Sequence, residues 1–287
     1  MQRFLQFSTE NRWPMQHFSS KPFLHLSLLH DLADFLFPRH CVMCRNRLNT
    51  TEVHICCGCI RSLHRVVYHG DGRHGAIERL FWERIPIERA TSFFYYDSYE
   101  AHNLIHVFKY FNRPTVAQTL GRMFAEEMKH TDFFDGVDGL VSLPLHWQKR
   151  IQRGYNQSDY IVKGLSEVTG IPILRNTVRR IRNNPSQTHL SHQEREENVR
   201  GIFKLKKPEV VSHKHILLVD DVLTTGSTLT SCAMELARAE DVRISIFTLA
   251  YAHEMIDFLI HEPRDMEYEF HVRPTVAEDT YSEEEEC

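Results

Sequence analysis

Ile216-Leu217-Leu218-Val219-Asp220-Asp221-Val222-Leu223-Thr224-Thr225-Gly226-Ser227-Thr228 is an apolar run that meets two carboxylates and passes into a hydroxyl-rich turn. Four consecutive apolar residues suit a parallel strand buried on both faces. Adjacent carboxylates are tolerated on such a strand only where it emerges at solvent or ligand, so the strand is expected to emerge there at Asp220 and Asp221. From Leu229, apolar residues recur at Cys232, Ala233, Leu236 and Ala237, the spacing of one helical face. The stretch predicts strand, loop, helix.

In that geometry the backbone N–H groups of Thr225 to Thr228 lie at a helix N-terminus, where donors lack partners and the helix dipole favours an anion. The hydroxyls of Thr224, Thr225, Ser227 and Thr228 can donate to phosphate oxygens, and Gly226 allows close approach or a positive φ. Asp220 and Asp221 are acceptors suited to paired hydroxyls such as those of a ribose. A solvated acidic strand end followed by an ordinary Ser/Thr cap is the alternative. The order of all three parts favours a sugar-phosphate site.

Working outward, the chain has 287 residues, 42% of them hydrophobic and 25% charged, ordinary values for a globular protein. No apolar run approaches the roughly 18 residues that span a bilayer. The first 29 residues lack a compact apolar core leading to a small-residue cleavage site, so a cytoplasmic protein is expected. The net charge of −4 hides an asymmetry: residues 265–287 hold nine acids and one base, whereas Trp147 to Arg182 hold eight bases and two acids. The nineteen histidines show no ligand spacing and are read as surface or packing residues.

Cys41-x2-Cys44 and Cys56-x2-Cys59 have the spacing of a four-cysteine zinc knuckle, each pair on a tight turn that points two thiolates at one tetrahedral ion. Four thiolates leave no open position for water, so Zn²⁺ here is expected to be structural. Cys57 beside Cys56 leaves the register of the second pair open. The segment from Pro38 to about Val67 is too short to keep a core of its own without an ion.

Elsewhere the pattern predicts a short helix within Leu24 to Phe37 and a flexible connection at Gly70, Gly72 and Gly75. Strands are expected at Ala90 to Tyr96, Gly139 to Leu143, near Ile171 to Val178, and at Val242 to Ala250. A helix over Tyr99 to Phe111 would bury Leu104, Ile105, Phe108 and Phe111 and leave Lys109 beside that face, where an exposed lysine is the commoner case. Further helices are expected over Pro114 to Lys129 and from Gln157. Between Arg179 and Asn198 the pattern is lost in a polar loop too long for a simple connector.

Leu217 to Thr228 resembles the ribose-phosphate signature of type I phosphoribosyltransferases. Further blocks narrow the likeness: Cys41-Val42-Met43-Cys44 with Cys56-Cys57-Gly58-Cys59, Phe108-Lys109-Tyr110, Leu143-Pro144-Leu145-His146, Arg153-Gly154-Tyr155-Asn156-Gln157, Gln187-Thr188, and Arg195-Glu196-Glu197-Asn198-Val199. Together these resemble the ComF family of competence-associated proteins over roughly residues 30 to 252. The likeness implies an α/β fold, a type I phosphoribosyltransferase-like parallel sheet flanked by helices, with a small N-terminal four-cysteine zinc-binding module. The expected division is an unstructured extension (1–22), a helix and zinc module (23–69), the transferase-like domain (88–252) and an acidic tail (261–287).

The resemblance further implies that Asp220 and Asp221 hold ribose hydroxyls and that Thr224, Thr225, Gly226, Ser227 and Thr228 wrap the 5-phosphate of phosphoribosyl diphosphate, taken with Mg²⁺. Leu143, Lys149, Arg150 and Arg153 become candidates for pyrophosphate or for a DNA backbone. The loop after Arg179 resembles a flap over the site, and Cys41, Cys44, Cys56 and Cys59 would hold the metal. A ComF-like protein would handle incoming single-stranded DNA in natural transformation beside a helicase-like competence protein. Trp147 and Tyr155 are compatible with stacking on the strand. The alternatives are an active phosphoribosyltransferase of nucleotide salvage, whose acceptor the residues leave open, and a non-catalytic sensor of phosphoribosyl diphosphate.

Overall fold

The computed structural model describes residues 38–70, 75–82, 84–182 and 201–252. The helix expected within Leu24 to Phe37, the residues Gly72, Gln187, Thr188 and Arg195, most of the flap and the acidic tail lie outside the described residues. Four strands, β1 (Ala90–Tyr95), β2 (Gly139–Ser142), β5 (His215–Leu223) and β6 (Arg243–Tyr251), form one sheet in the order β1-β6-β5-β2. Every pairing in it is parallel. Two short strands, β3 (Val178–Arg180) and β4 (Phe203–Leu205), pair antiparallel in a separate ribbon at the base of the expected flap.

Strand β5 shows why its apolar run is continuous. Leu217 and Val219 enter one core with Phe93, Phe124 and Phe247, whereas Ile216 and Leu218 enter another with Phe81, Leu229 and Ile246. Both faces of the sheet are therefore covered, as parallel strands require. The first face carries the helices α3 (Tyr99–Tyr110), α4 (Pro114–Met128) and α6 (Gln157–Thr169). On the second lie α2 (Ala76–Arg79) and α8 (Ser227–Leu236). Phe124 stacks on Phe247 with centroids 3.8 Å apart, a contact of about 0.5–1.5 kcal/mol beyond its buried area.

Helices α4 and α6 pack so closely that a Cβ on Gly164 would lie 2.1 Å from the Gln118 carbonyl oxygen, and one on Gly121 would lie 2.5 Å from that of Ile161. These glycines let two backbones touch and hold the start of α6 over the end of the sheet.

The ladder of β5 carries the acids, Asp220 pairing with Thr248, and continues to Leu223. Two expectations are corrected. Phe111 caps α3 and is 62% exposed, outside the buried face. The stretch from Ile171 to Val178 is no single strand. Ile173 makes one parallel bridge to Leu140, and strand structure resumes at β3 in the other sheet.

The cysteine segment contributes its apolar residues to the domain core. Cys41, Val42, Leu48, Ile55 and Leu63 are buried in one cluster with Phe94 and Leu104. Arg65 ties the segment down, its guanidinium 4.0 Å above the Phe93 ring and 3.1 Å from the Glu127 carboxylate.

Candidate functional site

Strand alternation sends the two carboxylates of β5 to different partners. Asp221, on the Leu217 and Val219 side, is met by Lys109 of α3 at 3.1 Å, with only 13% and 18% of the two side chains exposed. Asp220 accepts from the Ser158 hydroxyl at 3.0 Å, at the first turn of α6. Burial first, and the adjacent Asp221 second, raise the Asp220 carboxyl to about 7, while Lys109 and Ser158 oppose that rise. A carboxylate poised near neutrality is common at ligand sites.

More positive charge gathers around the pair than one lysine. Helix α5 (Trp147–Arg153) follows β2, capped at its start by His146 and ended by Gly154 at φ +80°. Burial lowers the Lys149 ammonium, the charges of Arg180, Arg153 and Lys109 lower it further, and Asp221 pulls the other way. Arg180 is likewise lowered by burial and supported by Asp220. Lys109, Lys149 and Arg180 thus share one field with the two carboxylates, and Arg153 stands beside Lys149. Arg153 also lies over the Tyr110 ring at 5.4 Å, which links α5 to the end of α3.

The loop after β5 completes the arrangement. Gly226 takes the left-handed conformation at φ +74° and offers no side chain to cap α8, while the Ser227 N–H reaches Thr225 Oγ1 at 3.4 Å. Thr225 Oγ1 lies 2.9 Å from Ser227 Oγ, so the hydroxyls face one another across the turn. Arg84 donates to the Thr225 carbonyl oxygen at 2.8 Å, adding a charge beside the loop. Thr224 is exposed, and Thr225, Ser227 and Thr228 are half-buried. The start of a helix with an arginine nearby is an environment that favours negative charge.

The remaining sequence candidates divide. Lys149 lies in the field of Asp221 with Arg153 beside it, but Arg150 lines a neighbouring cleft with Trp147. Leu143 is 5% exposed in the apolar core and offers only backbone, its carbonyl accepting from Asn156 Nδ2 at 3.0 Å. Tyr155 is buried, and its hydroxyl donates to the Phe108 carbonyl oxygen, so it is no stacking platform. Lys109, Arg180, Ser158 and Arg84 enter through long-range contacts that spacing along the chain does not reveal.

At the other end of the described chain, the sulfurs of Cys41, Cys44, Cys56 and Cys59 all lie within 4.8 Å of one another. Cys44 Sγ and Cys56 Sγ are 3.7 Å apart. Sulfurs at about 2.3 Å from a tetrahedral ion stand about 3.8 Å from each other, so the donor set can hold a metal such as zinc. The backbone N–H groups of Cys56 and Cys59 point at Cys41 Sγ and Cys56 Sγ at 3.4 Å each, donors that suit thiolates. Cys57 is exposed and outside the cluster, its N–H held by Glu52 at 2.7 Å, which settles the register of the second pair.

Residues 160–279 match the family described as "Phosphoribosyl transferase domain". The "DNA utilization protein YhgH" of Escherichia coli (strain K12) is 35% identical over 150 residues, which cover 51% of this chain and 65% of that protein. The "Competence protein F" of Haemophilus influenzae is 27% identical over 234 residues, 75% of this chain and 98% of that protein. The structure of the allosteric regulatory enzyme of purine biosynthesis aligns at 22% identity and a TM-score of 0.35, covering 50% of this chain and 30% of that one. That alignment is too loose to carry any detail of the site. A parallel sheet with flanking helices, a matched phosphoribosyl transferase domain, a four-cysteine cluster and relatives named for competence support a phosphoribosyltransferase-like protein similar to the ComF family.

Proposed function

We propose that the pocket at the end of β5 binds a 5-phosphoribosyl ligand such as phosphoribosyl diphosphate, and that the protein uses it in handling incoming single-stranded DNA in the cytoplasm during natural transformation. One observation carries the ligand assignment: Lys109 pairs with Asp221 at 3.1 Å, and Lys149 and Arg180 lie in the field of the two carboxylates, beside the start of α8 at Gly226. The 5-phosphate would take the N–H groups and hydroxyls of Thr225 to Thr228, the ribose hydroxyls the two carboxylates, and the pyrophosphate the cations. Carboxylate oxygens suit Mg²⁺, which would neutralise the diphosphate. The DNA role follows the names of the relatives, which speak of competence and of DNA utilization.

In this reading residues 88–252 form the transferase-like unit and residues 23–69 a module held by structural zinc, flanked by 1–22 and 261–287. A helicase-like protein of the competence machinery is the expected partner. A second reading, a phosphoribosyltransferase of nucleotide salvage, draws on the same cluster, because cations around a departing pyrophosphate and carboxylates near a ribose ring gaining positive charge both lower a transfer barrier.

The deciding experiment incubates the protein with Mg²⁺, phosphoribosyl diphosphate and a panel of bases. Released pyrophosphate with any acceptor selects the enzyme. Saturable stabilisation by the ligand without release selects a binding role, and the absence of both contradicts the pocket.

A further inference from the structure

Helix α5 turns two sides to two different environments. Lys149 lies in the field of Asp221 with Arg153, four residues on, beside it, whereas Trp147 and Arg150, three apart, line a cleft of 710 Å³. That cleft lies between the β2–α5 turn, the start of α6 and the segment from Ile173 to Arg180. Asp220 and the Thr224 to Thr228 loop take no part in its lining.

Its charge is one-sided. Arg150, Arg175, Arg179, Arg180, Lys206 and Lys207 all border it. The acid on its wall, Asp159, is taken up by the Ser142 hydroxyl at 2.6 Å and by Asn156 Nδ2 at 3.1 Å. Across the β3–β4 ribbon Arg179 stands directly opposite Lys204, a like-charged pair that weakens a ribbon on its own. Among the described residues no carboxylate pairs with Arg150, Arg175, Arg179, Lys206 or Lys207. A wall of cations held without counterions is arranged for a polyanion, and the cleft is far larger than one phosphate. Trp147, 55% exposed, offers a ring face at the same place.

We propose that this cleft, and not the carboxylate pocket, carries the sugar-phosphate backbone of a single-stranded nucleic acid, with Trp147 stacking on a base. The proposal rests on the DNA-handling reading above and deepens it by separating two sites. Helix α5 is the wall between them, so strand and phosphoribosyl ligand bind together, and Arg180, which also faces Asp220, is shared. Phosphates along the arginines and lysines supply affinity, and a single stacked base suits recognition without a fixed sequence.

The test measures anisotropy of a labelled oligothymidylate of about a dozen nucleotides across a salt series. The parent is compared with R175E/R179E, with K206E/K207E on the facing side, and with W147A. Each backbone contact contributes about −0.7 to the slope of log affinity against log salt, so each double reversal is expected to flatten that slope by about 1.4 and to weaken low-salt binding about tenfold. W147A is expected to weaken binding and leave the slope unchanged. All three should keep the parent's stabilisation by phosphoribosyl diphosphate with Mg²⁺, which also shows that they are folded, and saturating ligand should leave the strand bound.

Unchanged affinity and slope in both double variants would overturn the cleft and leave DNA binding intact. No strand binding by the parent at low salt would overturn the cleft and the DNA role together. A mononucleotide bound as tightly as the oligonucleotide would make this a mononucleotide site, and displacement of the strand by phosphoribosyl diphosphate would merge the two sites. Either result contradicts the proposal.

Discussion

Lys109 Nζ stands 3.1 Å from the Asp221 carboxylate, a pair that fastens the last turn of α3 to the far end of β5 with little of either side chain exposed. Lys109→Met leaves Asp221 unpaired beside Asp220, and losing a charged hydrogen bond of this kind costs about 1.5–3 kcal/mol. The same variant is expected to bind phosphoribosyl diphosphate about tenfold more weakly, equivalent to ~1.4 kcal/mol. Chemical denaturation and calorimetric titration read the two effects, and parent-like values in both would show that the pair serves neither stability nor binding.

Asp220 predicts a pH dependence of known sign. Its carboxyl is raised to about 7 by burial and by Asp221, so the folded chain holds this proton more tightly than the unfolded one. That contribution to stability is complete below the ordinary value near 3.8 and is lost as pH rises through about 7. Asp220→Asn removes the loss, so the variant should gain more over the parent at about pH 8 than at about pH 5. Thermal unfolding at both pH values checks this; a constant difference contradicts it. In the parent, ligand affinity should fall as Asp220 takes up its proton below about pH 7.

The metal cluster shares its core with the sheet. Removing the ion should therefore destabilise the whole domain in one transition, because Cys41, Leu48 and Ile55 pack in one cluster with Phe94 and Leu104. Cys56→Ser should lower the midpoint by roughly 10 °C or more, whereas Cys57→Ser, outside the cluster, should change it little. Elemental analysis should find zinc near one ion per chain. A chelator that leaves the melting curve unchanged would contradict the structural role.

At Gly226 the left-handed backbone and a close ring act together: φ is +74°, and an added Cβ would lie 3.2 Å from Phe81 Cε1. Gly226→Ala should cost about 1–2 kcal/mol and weaken phosphate-dependent binding. Gly154, at φ +80° with nothing within 4 Å of an added Cβ, is the control. Gly154→Ala should show the backbone cost alone. Equal effects of both variants on ligand affinity would remove Gly226 from the site.

Much of the fold was readable because its signals are local. The apolar run of β5, the loop glycine and the periodicity of α8 lie within one short stretch, and the cysteine spacing foretold a four-sulfur cluster. The misreadings arose where tertiary context wins. Phe111 continues the apolar spacing of α3 but falls after its last turn, and Tyr155 sits in a basic segment yet turns inward to the Phe108 carbonyl. Lys109 and Ser158 receive the two acids of the ladder, pairings that no local pattern announces. Arg150 parts from Lys149 because successive helical residues are turned by about 100°, a division that becomes visible only once α5 is docked. The close α4–α6 approach rests on Gly121 and Gly164, whose role appears only when their neighbours are known.

The central claim is that the carboxylates of β5 form a pocket for a 5-phosphoribosyl ligand. The most direct test is the change in thermal midpoint on adding phosphoribosyl diphosphate with Mg²⁺ to the parent and to Asp220→Asn/Asp221→Asn. Using the ligand-induced change sets aside any effect of the substitutions on baseline stability. A saturable rise in the parent that vanishes in the double variant is predicted. The same rise in both, or none in the parent, would contradict the claim.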